Sequence, residues 1–230
     1  MDRSTVERHR LALFGRLVMG VAHEVDNHLS VVLGFAELIR MPGGDAAKAP
    51  ENAGKIFAAG DRIASIIKRF SHHVRPHPPT EEIWHLRDLV SDLVGFARYD
   101  LCRGNVSLRI AEDLPPAKLR ADSRDIGLAL LSLLLNGAEA MSERGGGDLS
   151  LSAHFGDGGL EITVTDDGPG IPGDLHSRIF EEGFTTKRTD LHFGMGLPVS
   201  RHLVEAAGGT LRVENRPEGG CAAAIRLPAF

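Results

Sequence analysis

Apolar residues in the first third of the chain recur with helical spacing. Between Leu13 and Ile39 they fall at Phe14, Leu17, Val21, Val25, Val32, Phe35 and Ile39, one face of a helix. The stretch MPGGDAAKAP, residues 41–50, reads as a turn. A second helix follows, with Ile56, Ile63, Ile66, Ile67, Phe70 and Val74 on one side. Two helices of roughly 25 residues joined this closely form an antiparallel hairpin. A lone hairpin cannot cover both apolar stripes, so two copies are expected to pair into a four-helix bundle, a homodimer. RPHPP, residues 75–79, then sets three prolines in four positions, which ends the helix and stiffens the chain. The expected division is therefore residues 1–78 and residues 79–230.

Past the prolines the pattern changes. Helical spacing occupies residues 86–102, 123–142 and 197–207. Period-two alternation marks strands at Leu149, Leu151, Ala153 and Phe155, at Ile162 and Val164, at Leu211 and Val213, and at Cys221, Ala223, Ile225 and Leu227. Each strand has one apolar face, as in an antiparallel or mixed sheet with helices on one side. The predicted fold class is α+β, a helical hairpin followed by a two-layer α/β sandwich.

Composition narrows the function. Hydrophobic residues at 42% and charged residues at 25% describe a folded chain, and aromatics at 5% leave aliphatic side chains to build most of the core. The net charge of −5 carries no basic footprint for nucleic acid. The charge is uneven, with 11 basic and 8 acidic residues up to Pro78 and 15 and 23 after it. Cys102 and Cys221 are far apart and lack zinc-ligand spacing. Uninterrupted apolar runs such as 17–22 and 133–135 are far shorter than the roughly 18 residues of a membrane span. The charged start MDRSTVERHR has no signal-peptide core, so a cytoplasmic protein with no membrane span is expected. Only about ten residues precede the first predicted helix, so a separate sensor protein or a longer chain would supply any signal. His72, His73 and His77 read as solvated linker histidines rather than a metal site, and Trp84 and Cys102 as packing residues.

The chemistry begins in GVAHEVDNHLS, residues 20–30. At about 100° per residue, His28 falls within about 20° of the apolar stripe and His23 about 160° from it. His28 is placed as a packed core imidazole, and His23 faces solvent or a partner. Glu24 adjoins His23, and Asn27 lies one turn on. A carboxylate beside an imidazole can take a ring proton and leave the other nitrogen nucleophilic. Read locally, Glu24 and Asn27 serve equally well as a solvated helix face.

Four further segments suggest a nucleotide site. Asp166 ends a strand and can accept a hydrogen bond from an exocyclic amine such as that of adenine. Gly168 and Gly170 in TDDGPGIP let the backbone turn close to a ligand. Gly194 and Gly196 in HFGMGLPVS precede a helix whose free amides suit phosphate. Asn136 interrupts an apolar helix where a hydrated magnesium ion could be its partner. IFEEGFTTK contributes Phe184, Thr185, Thr186 and Lys187 to a loop able to close over a nucleotide. Each alone is an ordinary turn or cap, but together and in this order they are strong.

In these segments the chain resembles the transmitter module of two-component sensor histidine kinases, from about residue 8 to residue 227. GRLVMGVAHEVDNHLS resembles the phosphoacceptor box, particularly of the soluble nitrogen-regulation type. LLNGAEAM, DDGPGI, IFEEGFTTK and FGMGL, which ends at Leu197, match the asparagine, first glycine, phenylalanine and second glycine boxes. The resemblance implies a dimerisation and phosphotransfer hairpin followed by a Bergerat-type ATP-binding domain. It implies His23 as phosphoacceptor, Glu24 as its general base and Asn27 as positioning water for dephosphorylation of a partner. Asn136 would hold magnesium, Asp166 the adenine amine, and Gly194 and Gly196 the phosphates of ATP. The implied activity is MgATP-dependent phosphorylation of His23, followed by transfer to an aspartate of a response regulator. The alternative is a nucleotide-binding pseudokinase or docking platform acting mainly as regulator phosphatase or scaffold. Three departures keep it in view: His28 where the family has proline, Ser132 where it has asparagine, and His192 where it has glycine. Serine cannot serve as the base that related ATPases place at that position.

Overall fold

Apolar periodicity and terminal chemistry set two long helices, α1 (Arg3–Arg40) and α2 (Ala49–Val74), in a computed structural model that describes residues 1–42, 46–76, 78, 80–142, 144–156, 158–186 and 194–228. The Asp2 carboxylate caps α1 by accepting from the Thr5 amide at 2.7 Å. Pro50 starts α2, where a missing N–H costs nothing. α1 begins ten residues before its apolar stripe and runs for 38 residues, longer than the hairpin helix expected from the pattern.

The remainder comprises β1 (Glu82–His85), α3 (Leu86–Arg103), β2 (Val106–Ile110), β3 (Lys118–Ala121), α4 (Ser123–Ser142), β4 (Gly147–Gly156), β5 (Gly159–Asp166), α5 (Gly196–Ala206), β6 (Thr210–Asn215) and β7 (Cys221–Leu227). The three helices and four strands expected from periodicity are present, with bounds shifted by a few residues. β1, β2 and β3 are additional. β1 and β3 form a small antiparallel pair, and the other strands form a five-stranded mixed sheet in the order β2-β4-β5-β7-β6. Its parallel step joins β2 to β4, and the rest is antiparallel. Leu149, Leu151, Leu160, Ile162, Val164, Ile225 and Leu227 point to one buried face, where the helices pack. α4 is buried on almost every side. Among the described residues it is the one helix long and apolar enough to cross a membrane, but 72% of its apolar window is buried as a core helix.

The hairpin rests on this sandwich through its open end. Phe14, Phe70 and Phe96 form an edge-to-face trio spanning α1, α2 and α3, with ring centroids 5.6–6.1 Å apart. His73 stacks on Phe14 and is 2% exposed, so it is a core residue and not a solvated linker histidine. His77 lies outside the described residues. Trp84 is buried, and its indole donates to the Ala121 carbonyl at 3.2 Å. Cys102 is exposed, which corrects its reading as a packing residue. Beside the aromatic trio the guanidinium of Arg10 is fully buried. It donates to the carbonyls of His73 (3.1 Å) and Arg124 (3.3 Å) and pairs with Asp125. The buried charge is thus met from α2 and α4, and removing Asp125 would cost about 3–5 kcal/mol.

Candidate functional site

β5 delivers Asp166 to the end of the sheet, 8% exposed. Its Oδ1 accepts from the amides of Gly168 (2.8 Å) and Cys221 (3.3 Å). Burial pushes the carboxyl pKa upward, and the two amides pull partly against that rise. Glycine at 168 leaves room for this contact, since a Cβ would stand 2.7 Å from Asp166 Oδ1 and displace the carboxylate. Gly170 adopts φ +75, and the next residue is fixed by Asn215, which accepts from the Ile171 amide and donates to its carbonyl, both at 2.7 Å. Burial pushes the Cys221 thiol up to about 11, which leaves it an inert neighbour.

Opposite this edge lies the start of α5. Gly194 has φ +61, and a Cβ there would enter the backbone of Gly183 and Phe184. The Gly183 amide donates to the Gly194 carbonyl at 3.2 Å and holds these two glycines side by side. Lys187 and His192 lie outside the described residues. Phe184 is half-buried beneath the Arg178 guanidinium, 4.4 Å from its centroid, while Thr185 and Thr186 are exposed at the rim. On α4, Asn136 is half-buried, and a Cβ on Gly196 would sit 3.4 Å from its Nδ2.

These walls enclose an open cavity of about 590 Å³. Asn136, Asp166, Gly170, Phe184, Thr185, Thr186, Gly194, Gly196 and Leu197 all line it, whereas Gly168 shapes the turn behind Asp166. The volume suits a drug-sized or nucleotide-sized ligand. Asn136 presents an amide oxygen, a hard donor of the kind magnesium takes, and its side chain makes no hydrogen bond among the described residues.

His23, Glu24 and Asn27 stand apart from the cavity. His23 is exposed on α1, its ring 6.1 Å from that of Tyr99 on α3. α1 and α3 meet closely just before it, for a Cβ on Gly20 would lie 2.7 Å from Tyr99 Cβ. Glu24 is half-buried at the edge of a second groove of about 410 Å³ that also holds Arg69, Arg87 and Arg98. Asn27 is exposed, and His28 is half-buried, on the less exposed side of the helix but not in the core as its position on the stripe suggested. His23 is seven residues beyond Arg16, the last α1 residue on the cavity, or roughly 10 Å along the axis.

The pattern gave no indication of His9, Arg16, Cys221 or Tyr99. His9 and Arg16 reach the cavity from α1. The sequence contains no local signal for this, because their partners lie more than a hundred residues away on α4.

Residues 121–230 match the family model described as "Histidine kinase-, DNA gyrase B-, and HSP90-like ATPase". Relatives extend over nearly the whole chain. The C4-dicarboxylate transport sensor protein DctB of Rhizobium meliloti is 29% identical over 95% of this chain and 35% of its own length. Sensor histidine kinase ZraS of Escherichia coli is 30% identical over 96% of this chain and 47% of its own length. The chain therefore spans about a third to a half of these relatives. Among solved structures, the mycobacterial sensor histidine kinase MprB aligns with a TM-score of 0.55 and 25% identity, covering 65% of this chain and 98% of that one. Histidine kinase ThkA, solved in complex with response regulator TrrA, shares the fold over 97% of this chain and 64% of that one, with a TM-score of 0.56 and 23% identity. The motif resemblance to a histidine kinase transmitter module is thereby borne out.

Proposed function

From the premise that residues 121–230 form an ATPase domain of the histidine kinase-, gyrase B- and HSP90-like family, we propose that the chain is an ATP-dependent protein-histidine kinase that phosphorylates its own His23. One observation supports this above the others: an exposed imidazole with a carboxylate beside it stands on the helix that also lines the nucleotide-sized cavity. In this reading Asp166 accepts from the adenine amine with its remaining oxygen, and the glycine turn passes close to the ring. The amides at the start of α5 face the phosphates. A magnesium ion held through Asn136 supplies charge neutralisation when bound. A ring nitrogen of His23 attacks the γ-phosphorus, the bond to the β,γ-bridging oxygen breaks and ADP leaves. Glu24 receives the proton of the other ring nitrogen. Positioning and electrostatics supply most of the rate.

The finer parts of the reading concern partners. Residues 1–78 would be the dimerisation and phosphotransfer domain and residues 79–230 the ATP-binding domain. A series on α1 beyond the cavity, Val18, Ala22, Leu29 and Leu33, turns away from the packed stripe. Val18 (48% exposed), Leu29 (43%) and Leu33 (62%) on it are bare. A second copy of the hairpin would cover this series in a four-helix bundle. The phosphoryl group would pass to an aspartate of a response regulator, and Asn27, one turn from His23, would orient water when that aspartate is dephosphorylated.

Incubation with γ-labelled ATP and magnesium tests the proposal. The expected product is an acid-labile, alkali-stable protein phosphate that is absent in Asp166→Asn. An acid-stable label, or none, refutes it.

A further inference from the structure

The opening turns of α1 do more than lead into the hairpin. Residues 9–16 pass directly over the nucleotide-sized cavity, and His9, Leu13 and Arg16 face it together with Ser132 and Asn136 from α4. Polar contacts fix the helix in place there. Arg10 is tied to Asp125 at the start of α4, and Arg16 pairs with Glu139 near its end and with Asp100 of α3 at 3.2 Å. Both arginines are neutralised by carboxylates and act as tethers.

His9 is different. Its Nε2 lies 3.1 Å from Ser132 Oγ. The Ser132 hydroxyl donates its only proton to the Leu128 carbonyl at 2.9 Å, so it must accept from His9. The imidazole is then an Nε2–H tautomer, which leaves Nδ1 as an acceptor on the other side of the ring. Burial, with Arg10 beside it, holds the pKa down at about 4, so the ring is neutral at ordinary pH. A neutral acceptor does not bind a phosphate oxygen, which is itself an acceptor. It takes a hydrogen bond from a hydroxyl, an amine or a bound water. Serine at position 132, unexpected in the family pattern, is small enough to let the ring approach.

We infer that the first turns of α1 are a wall of the nucleotide site, with His9 a nucleotide-contacting side chain set by Ser132. The inference rests on the cavity being the nucleotide site. Because the wall belongs to the helix that carries His23, nucleotide binding and the seating of that helix are linked. Whatever shifts one shifts the other by the same factor.

The test uses the full chain, a fluorescent ADP analogue with magnesium, and amide hydrogen exchange. Binding is expected to slow exchange in residues 5–18 as well as in residues 166–171. His9→Ala is expected to raise Kd by about three- to tenfold, the range of one hydrogen bond. Ser132→Asn, which would displace the ring, is expected to act in the same direction. His28→Gln, on the same helix beyond the cavity, should leave Kd within about twofold. Binding that protects only residues 166–171 overturns the inference while leaving the nucleotide reading intact, and so does unchanged affinity in a folded His9→Ala. The exchange measurement needs no variant, so misfolding of His9→Ala leaves the test standing. If the unsubstituted chain binds no nucleotide, the reading on which the inference rests fails first.

Discussion

α4 and α1 solve the problem of burying an apolar helix in opposite ways. Fourteen of the twenty residues of α4 are buried, on all sides, by α3, α5 and the sheet. Of the 38 residues of α1 only Val6, Arg10, Phe14 and Leu17 are buried, all before Gly20. Up to that point the sandwich covers the helix. Beyond it, α2 covers one stripe and the other remains bare. The lesson concerns division of labour. The C-terminal half, with the first turns of α1, closes one core around a cavity, whereas the far half of the hairpin leaves an apolar stripe of α1 uncovered. Under the proposed function that incompleteness is useful, since a fully packed His23 could meet neither nucleotide nor regulator.

The contrast can be broken most forcefully in the core. Leu134→Ala should destabilise the sandwich by about 2–5 kcal/mol. Leu33→Ala, on the bare stripe, should change monomer stability by less than about 0.5 kcal/mol and act instead on self-association. Urea unfolding at low concentration reads the first, and sedimentation reads the second. Comparable losses of stability at both sites would erase the distinction.

Next in size is the junction between the halves. His9 has its pKa depressed to about 4 by burial, then by Arg10. The unfolded chain therefore binds a proton that the folded chain refuses between about pH 6.5 and 4. The resulting stability is complete above about 6.5 and is lost as pH falls towards 4, by about 3 kcal/mol. His9→Gln should flatten that part of the stability–pH curve, and an unchanged curve would place the ring in water.

Smaller in stability but larger in function is Asp166→Asn. Burial raises this carboxyl's pKa, so its stabilising contribution lies at low pH and is gone once the group ionises. The isosteric amide keeps an oxygen for Gly168 and Cys221, so the melting temperature should hold or rise slightly at neutral pH. Nucleotide affinity should fall by about tenfold or more. A clear drop in melting temperature would mean that the charge is structural.

Much of this was legible beforehand, and the reasons are local. Asp166, Gly170 and Gly194 could be read because a carboxylate at a strand end and backbones at φ +75 and +61 leave few residue choices. The opposite faces of His23 and His28 follow from helical geometry alone. β1 and β3 could not be read, since each is only four residues long, with one buried side chain in β1 and two in β3, too few to set a period apart from a turn. The start of α1 was hidden for another reason. MDRSTVERHR shows no apolar stripe because its burial is achieved with charge, through Arg10 and a carboxylate 115 positions later. His9 and Ser132, 123 positions apart, were invisible as a pair on the same grounds.

The most direct measurement maps the phosphoryl group to one ring. After incubation with labelled ATP and magnesium, His28→Gln should retain acid-labile label and His23→Gln should carry none. Label that survives loss of the exposed imidazole, or vanishes with the half-buried one, contradicts the assignment of His23.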